Sequence, residues 1–158
     1  MRKFLFVTLV ALFATAVSAS TFDVKAGYGK TEGVNGYQLG ASYFVSLYKA
    51  DTFVKDISVG LMADYNIYSS ASTYSFLAAP AIKVVMPYSY AILGYGYDYT
   101  KGAAEERATA FVMELGLQAK LTDTVNGGLF YELVYKTTGD TFDKTYAQAF
   151  GPFLSFNL

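Results

Sequence analysis

Residues Gln148 to Leu158 read QAFGPFLSFNL, and they put Phe150, Pro152, Leu154, Phe156 and Leu158 on every second position. Between them stand Ala149, Gly151, Phe153, Ser155 and Asn157, so one face is almost wholly apolar and the other mostly small or polar. A period of two is the signature of an extended strand with two unlike faces. The pattern suits a wall that meets lipid on one side and a tight, partly polar filling on the other.

The same alternation runs back through the chain. It predicts segments Phe22 to Lys30, Tyr37 to Tyr48, Ile57 to Tyr68, Thr73 to Met86, Tyr90 to Lys101, Ala108 to Leu121 and Val125 to Thr137 before the last one. Polar or glycine-containing connections separate them, and those at 69–72 and 102–107 are short. Each segment matches or slightly exceeds the roughly 9 to 11 residues that a tilted membrane-crossing strand needs. In the fourth segment Leu77 and Val85 break the pattern by falling on the face of Ser75 and Lys83. The expected fold is therefore an all-β, eight-stranded antiparallel up-and-down barrel with both ends of the wall on one side.

Composition agrees with a wall of this kind. The chain is 53% hydrophobic and 18% aromatic, yet no stretch beyond the first twenty residues is apolar enough for a spanning helix. Met1 to Ala19 carries Arg2 and Lys3, an apolar core from Phe4 to Val17 and small residues at Val17-Ser18-Ala19. We read it as a removable signal peptide, since its core is shorter than the roughly 20 residues of a membrane anchor. The barrel domain is then 20–158. Setting aside Arg2 and Lys3 takes the 12 basic residues to 10 against 13 acidic ones, a balance that argues against nucleic acid as a partner.

Candidate site residues lie on the inward face. Asp64, Asp98, Glu114 and Glu132 all fall seven or eight residues up from the end that carries the strand termini, while Lys25 and Lys83 lie a few residues up and Lys136 sits higher. Carboxylates gathered at one level of a narrow barrel need compensation. One reading is a plug, in which the lysines, Gln38 and Gln118 pair with the acids and fill an interior only wide enough for side chains. The other is an acidic constriction that passes small cations. Cysteine and histidine are both absent, so thiolate and imidazole metal sites, and the usual base near neutral pH, are not available. No cofactor, metal or catalysis is expected.

Tyr28, Tyr37, Tyr65, Tyr74, Tyr97, Tyr99, Tyr135 and Tyr146 collect at alternate ends of consecutive segments. They form an expected interfacial girdle, with rings in lipid and hydroxyls among headgroups. Pro80 and Pro152 fit worst, because proline removes a ladder donor. Each is expected to mark a β-bulge, with a weakened seam as the alternative.

The leader, the alternating segments and the aromatic terminal strand together resemble the small outer-membrane barrel proteins of Gram-negative bacteria, of the OmpX and OmpA-barrel type. That resemblance implies a monomer in the outer membrane, contacting lipid and lipopolysaccharide, and delivered by periplasmic chaperones to the barrel-insertion machinery. It also implies an assembly signal at Phe150, Leu154, Phe156 and Leu158, although such strands usually end in Phe. A structural or surface-interaction role is expected on this basis, and adhesion ranks lower because the outer connections are short. A soluble periplasmic barrel around an apolar ligand stays open; its outside would be charged.

Overall fold

In hydrocarbon every backbone N–H and C=O must find a partner within the protein, and an alternating chain manages this only if each strand is paired on both edges. The computed structural model does so with eight strands in one closed barrel. It describes residues 20–31, 33–69, 73–102, 105–138 and 141–158, with the backbone alone for 138 and 141–146. The expected leader, Met1 to Ala19, lies outside the described residues.

The strands are β1 (Ser20–Thr31), β2 (Val34–Lys49), β3 (Asp56–Tyr68), β4 (Tyr74–Val85), β5 (Ser89–Lys101), β6 (Glu105–Lys120), β7 (Val125–Thr138) and β8 (Thr141–Asn157). Consecutive strands pair antiparallel, and β1 pairs β8 from Thr21↔Asn157 to Thr31↔Ala147 to close the wall. We call the end with Ser20 and Asn157 the terminal end. Its connections, 50–55, 86–88 and 121–124, are tied by bonds such as Ala50 N to Lys55 O at 3.1 Å and Leu121 N to Val125 O at 2.9 Å. There Lys55 and Lys120 hold the exposed carboxyls of Asp51 and Asp123 below the usual carboxylate range, chiefly by hydrogen bonding and then by charge.

At the far end the strands run past the alternating segments. β2 begins at Val34 and not Tyr37, β6 at Glu105 and not Ala108, and β8 at Thr141 and not Gln148. Above the lipid, side chains need no alternation, while the backbone ladder still gains by continuing. The first connection there turns at Gly33, whose φ of 85° only glycine adopts without strain.

Outward faces carry the apolar residues. Leu39, Leu61, Ile82, Leu93, Leu115 and Leu129 are among those left exposed around the wall. Tyr28, Tyr37, Tyr65, Tyr97 and Tyr135 are exposed toward the far end, and neighbours meet across the hairpins, Tyr28 to Tyr37 at 6.0 Å and Tyr65 to Tyr74 at 5.7 Å between ring centroids. Tyr74 and Tyr99 are half-buried, and the side chain of Tyr146 lies outside the described residues. The terminal end has a second aromatic set, Tyr48, Phe53 and Tyr88, which the count of tyrosines at the far end does not include. Phe150 and Leu154 of the last strand and Leu158 just past its end are exposed, and Phe156 is half-buried.

Two expectations need correction. The prolines make no bulge: the register shifts fall at Ser46/Tyr48 and Lys136/Thr138. Beside Pro80, pairing passes from Ala78↔Tyr97 directly to Ala81↔Gly94 in unchanged register. Beside Pro152 it passes from Lys25↔Phe153 to Tyr28↔Phe150. The missing N–H interrupts the ladder locally, and because both prolines point outward no residue has to be squeezed out of the strand. The interior is also more apolar than the alternation implies, since Phe44, Met62, Leu77, Ile92, Val112, Phe130 and Phe153 are buried inside.

Candidate functional site

Each strand sends every second side chain inward, and at mid-height four strands converge on one ammonium. Lys25 of β1 extends its Nζ to Asp64 Oδ1 of β3 at 2.9 Å and Glu114 Oε2 of β6 at 2.6 Å, and pairs also with Glu132 of β7. All four side chains are buried. Gln38 donates to Glu132 Oε1 at 2.6 Å, the Tyr90 hydroxyl donates to Glu114 Oε1 at 2.6 Å, and Lys25 lies 5.3 Å from the centre of the Phe130 ring. Asp64 joins the cluster through Lys25, whose Nζ stands 2.9 Å from its Oδ1. Gly40 makes the room, because a Cβ there would stand 2.8 Å from Lys25 Cγ.

Two smaller pairs flank this cluster. Toward the terminal end Lys83 meets Asp23 Oδ2 at 2.6 Å, with Ser42 Oγ donating to the same oxygen at 3.3 Å. The Lys83 ammonium sits over the rings of Phe44 and Tyr90 at 5.4 and 5.1 Å. Toward the far end Lys136 meets Asp98 Oδ1 at 2.7 Å, and Thr100 donates to that carboxylate at 2.8 Å.

The expected level of four acids is thus three acids around Lys25, with Asp98 in a separate pair. Strand tilt explains the difference: residues equally far along their strands stand at different heights once the wall is sheared. Gln118 is no partner of the acids either, since its Nε2 faces Met86 O and Ser89 O at 3.2 and 3.4 Å. Asp23 and Tyr90 complete the network without having been singled out. Both fall on the inward positions of their strands, Asp23 in step with Lys25 and Tyr90 in step with Asp98, so the alternation gives their face but not the partners they meet.

Electrostatically the central cluster sets one ammonium against three carboxylates. Among the described residues no group of acids is arranged to hold a metal ion, and the focus of this trio is already occupied by Lys25. A partly compensated buried cluster is sensitive to the loss of any donor. Tyr90→Phe, which strips a donor from buried Glu114, is expected to cost about 1–3 kcal/mol. Urea unfolding in detergent micelles measures it, and an unchanged midpoint would show that water replaces the hydroxyl.

Cavities approach the cluster from both ends. A crevice of about 10 Å³, room for one water, reaches from Lys30 and Thr31 down to Glu132. A cup of about 230 Å³ opens at the terminal end and is lined by Lys49, Lys55, Lys83, Ser58, Asn126 and Ser155 among others. Between them lie the Lys25 cluster and the buried aromatic rings, with Tyr90 against Phe153 edge-on at 4.9 Å.

No family model and no curated protein matches the chain. Solved structures do match in fold. Neisserial surface protein A (NspA) superposes with a TM-score of 0.58 at 10% identity, over 88% of this chain and 96% of that one. The outer membrane enzyme PagL gives 0.61 at 17% identity over 86% and 99%. The N-terminal β-barrel domain of Pseudomonas aeruginosa OprF gives 0.53 at 14% over 89% and 98%. The fold is that of the small eight-stranded outer-membrane barrels. A surface protein, an enzyme and a domain of a larger protein share it, so the barrel does not by itself assign an activity.

Proposed function

We propose that this protein is a small, monomeric, integral outer-membrane barrel, exported by its leader, with a plugged interior and a structural or surface-interaction role. The observation that carries the reading is the Lys25 cluster, where side chains from four strands meet at one ammonium inside a wall whose outer face is apolar. Interior ion pairs of this kind tie strands distant in sequence into one rigid body.

Lipid and lipopolysaccharide are its surroundings in this reading. Lys30, Lys101 and Arg107 are exposed on the outward face just beyond the tyrosines, placed for the anionic phosphates of the outer leaflet. Periplasmic chaperones and the insertion machinery would read the terminal strand through Phe150, Leu154, Phe156 and Leu158. Catalysis is not part of the proposal, and the chain has no histidine to serve as a base.

The excess of carboxylates over Lys25 favours one competing reading, a narrow path for cations. Planar bilayer recording separates the two. Wild-type protein is expected to be silent; unitary cation-selective steps that vanish in Glu114→Gln/Glu132→Gln would replace the plug with a pore.

A further inference from the structure

We propose that the Lys25 cluster binds a proton at neutral pH, carried by Asp64 and shared with Glu132. The inference rests on the plug reading and deepens it, since a water-filled path would let all three carboxyls ionise.

Three carboxyls meet one ammonium at mid-height, and no further cation is left to join them. Among the described residues the other interior lysines are each matched already, Lys83 by Asp23 and Lys136 by Asp98. From β2 and β5 the neutral groups of Gln38 and Tyr90 reach the cluster. On β4 and β8 the residues paired with Asp64 and Glu132 are Leu77 and Ala149, which do not titrate. With every acid ionised, the buried cluster would bear two negative charges in excess of its one ammonium. Like charges confined to one buried site are relieved by retaining a proton.

Donors and contacts decide which acid keeps it. Glu114 and Glu132 are direct cross-strand partners, and each accepts from a neutral donor as well as from Lys25, Glu114 from Tyr90 and Glu132 from Gln38. Such donors favour the ionised form. Asp64 is 0% exposed, and its carboxyl stands within hydrogen-bonding reach of Glu132. Two carboxylates have only acceptor oxygens to offer one another. A proton between them turns that contact from repulsion into a charge-assisted hydrogen bond, with Asp64 donating and Glu132 accepting.

The consequence is a barrel that tightens as the medium acidifies. Carboxyls of the unfolded chain have released their protons by about pH 5.5. Above it the folded state holds one proton more than the unfolded chain, so stability falls as pH rises. The chain has no histidine, and no ordinary side chain titrates in the same window.

Urea unfolding in zwitterionic micelles is expected to show the folding constant dropping about tenfold per pH unit between about pH 5.5 and 7. Asp64→Asn, whose amide stands in for the protonated carboxyl, should give a flat profile there. Infrared spectroscopy of the folded wild type at neutral pH needs no variant, and the carbonyl stretch of a protonated carboxyl, shifted in heavy water, is expected. A wild type without the slope, a spectrum without that band, or a slope or band that survives in Asp64→Asn overturns the proposal. Planar bilayer recording keeps the two readings apart. A flat wild-type profile beside a silent bilayer removes the proton alone, whereas conduction removes the plug and the buried site with it.

Discussion

Lys25→Met is expected to cost the barrel about 3–5 kcal/mol, the typical penalty for removing one partner of a buried charge group. Methionine fills similar volume, so the loss isolates charge from packing. Without the ammonium, Asp64, Glu114 and Glu132 face one another in a buried space beside Phe130 with no cation among them. Their repulsion is strong where the effective dielectric is low. Domains are stable by only about 5–15 kcal/mol, so the variant should unfold at much lower urea in micelles. Adding Glu114→Gln and Glu132→Gln removes two of the three orphaned charges and is expected to restore more than half of the loss. A Lys25→Met barrel as stable as the parent would mean that the cluster is not organised around its ammonium.

Leu93→Arg tests the other side of the wall. Leu93 is 50% exposed on the outward face of β5, between Tyr97 toward the far end and Tyr88 toward the terminal end. A guanidinium at the middle of a lipid-facing strand costs about 2–4 kcal/mol, and one near the interface about 0–1. Leu117, which pairs with Ser89 at the first position of β5, supplies the comparison. Folding into phospholipid vesicles followed by urea titration should find Leu93→Arg clearly destabilised and Leu117→Arg nearly neutral. A water-soluble barrel would lose nothing at either position, so equal tolerance, together with recovery in the soluble periplasmic fraction, would end the membrane assignment.

The wall was legible from the chain because lipid imposes one rule on all outward positions, and Leu39, Leu61, Leu115 and Leu129 obey it. The interior imposes no such rule. A plug must be filled to near-crystalline density, and Phe44, Phe130 and Phe153 fill it as well as polar residues do, which is why alternation fades on Leu77 and Val85. Partners inside were legible by type but not by pairing. Counting along strands placed Asp98 beside Glu114, whereas register and tilt put it with Lys136. Tyr90 shares its face of β5 with Asp98, so alternation marks it as inward, but only the register between β5 and β6 brings its hydroxyl to Glu114.

The two interrupted ladders have a mechanical consequence. They lie between β4 and β5 and between β8 and β1, four strands apart in either direction. Lines of reduced stiffness on opposite sides of a tube act like a pair of hinges, so lateral pressure should deform the cross-section into an ellipse more readily than it shrinks the circle. The Lys25 contacts span the tube like internal struts, and they set how far that flattening goes.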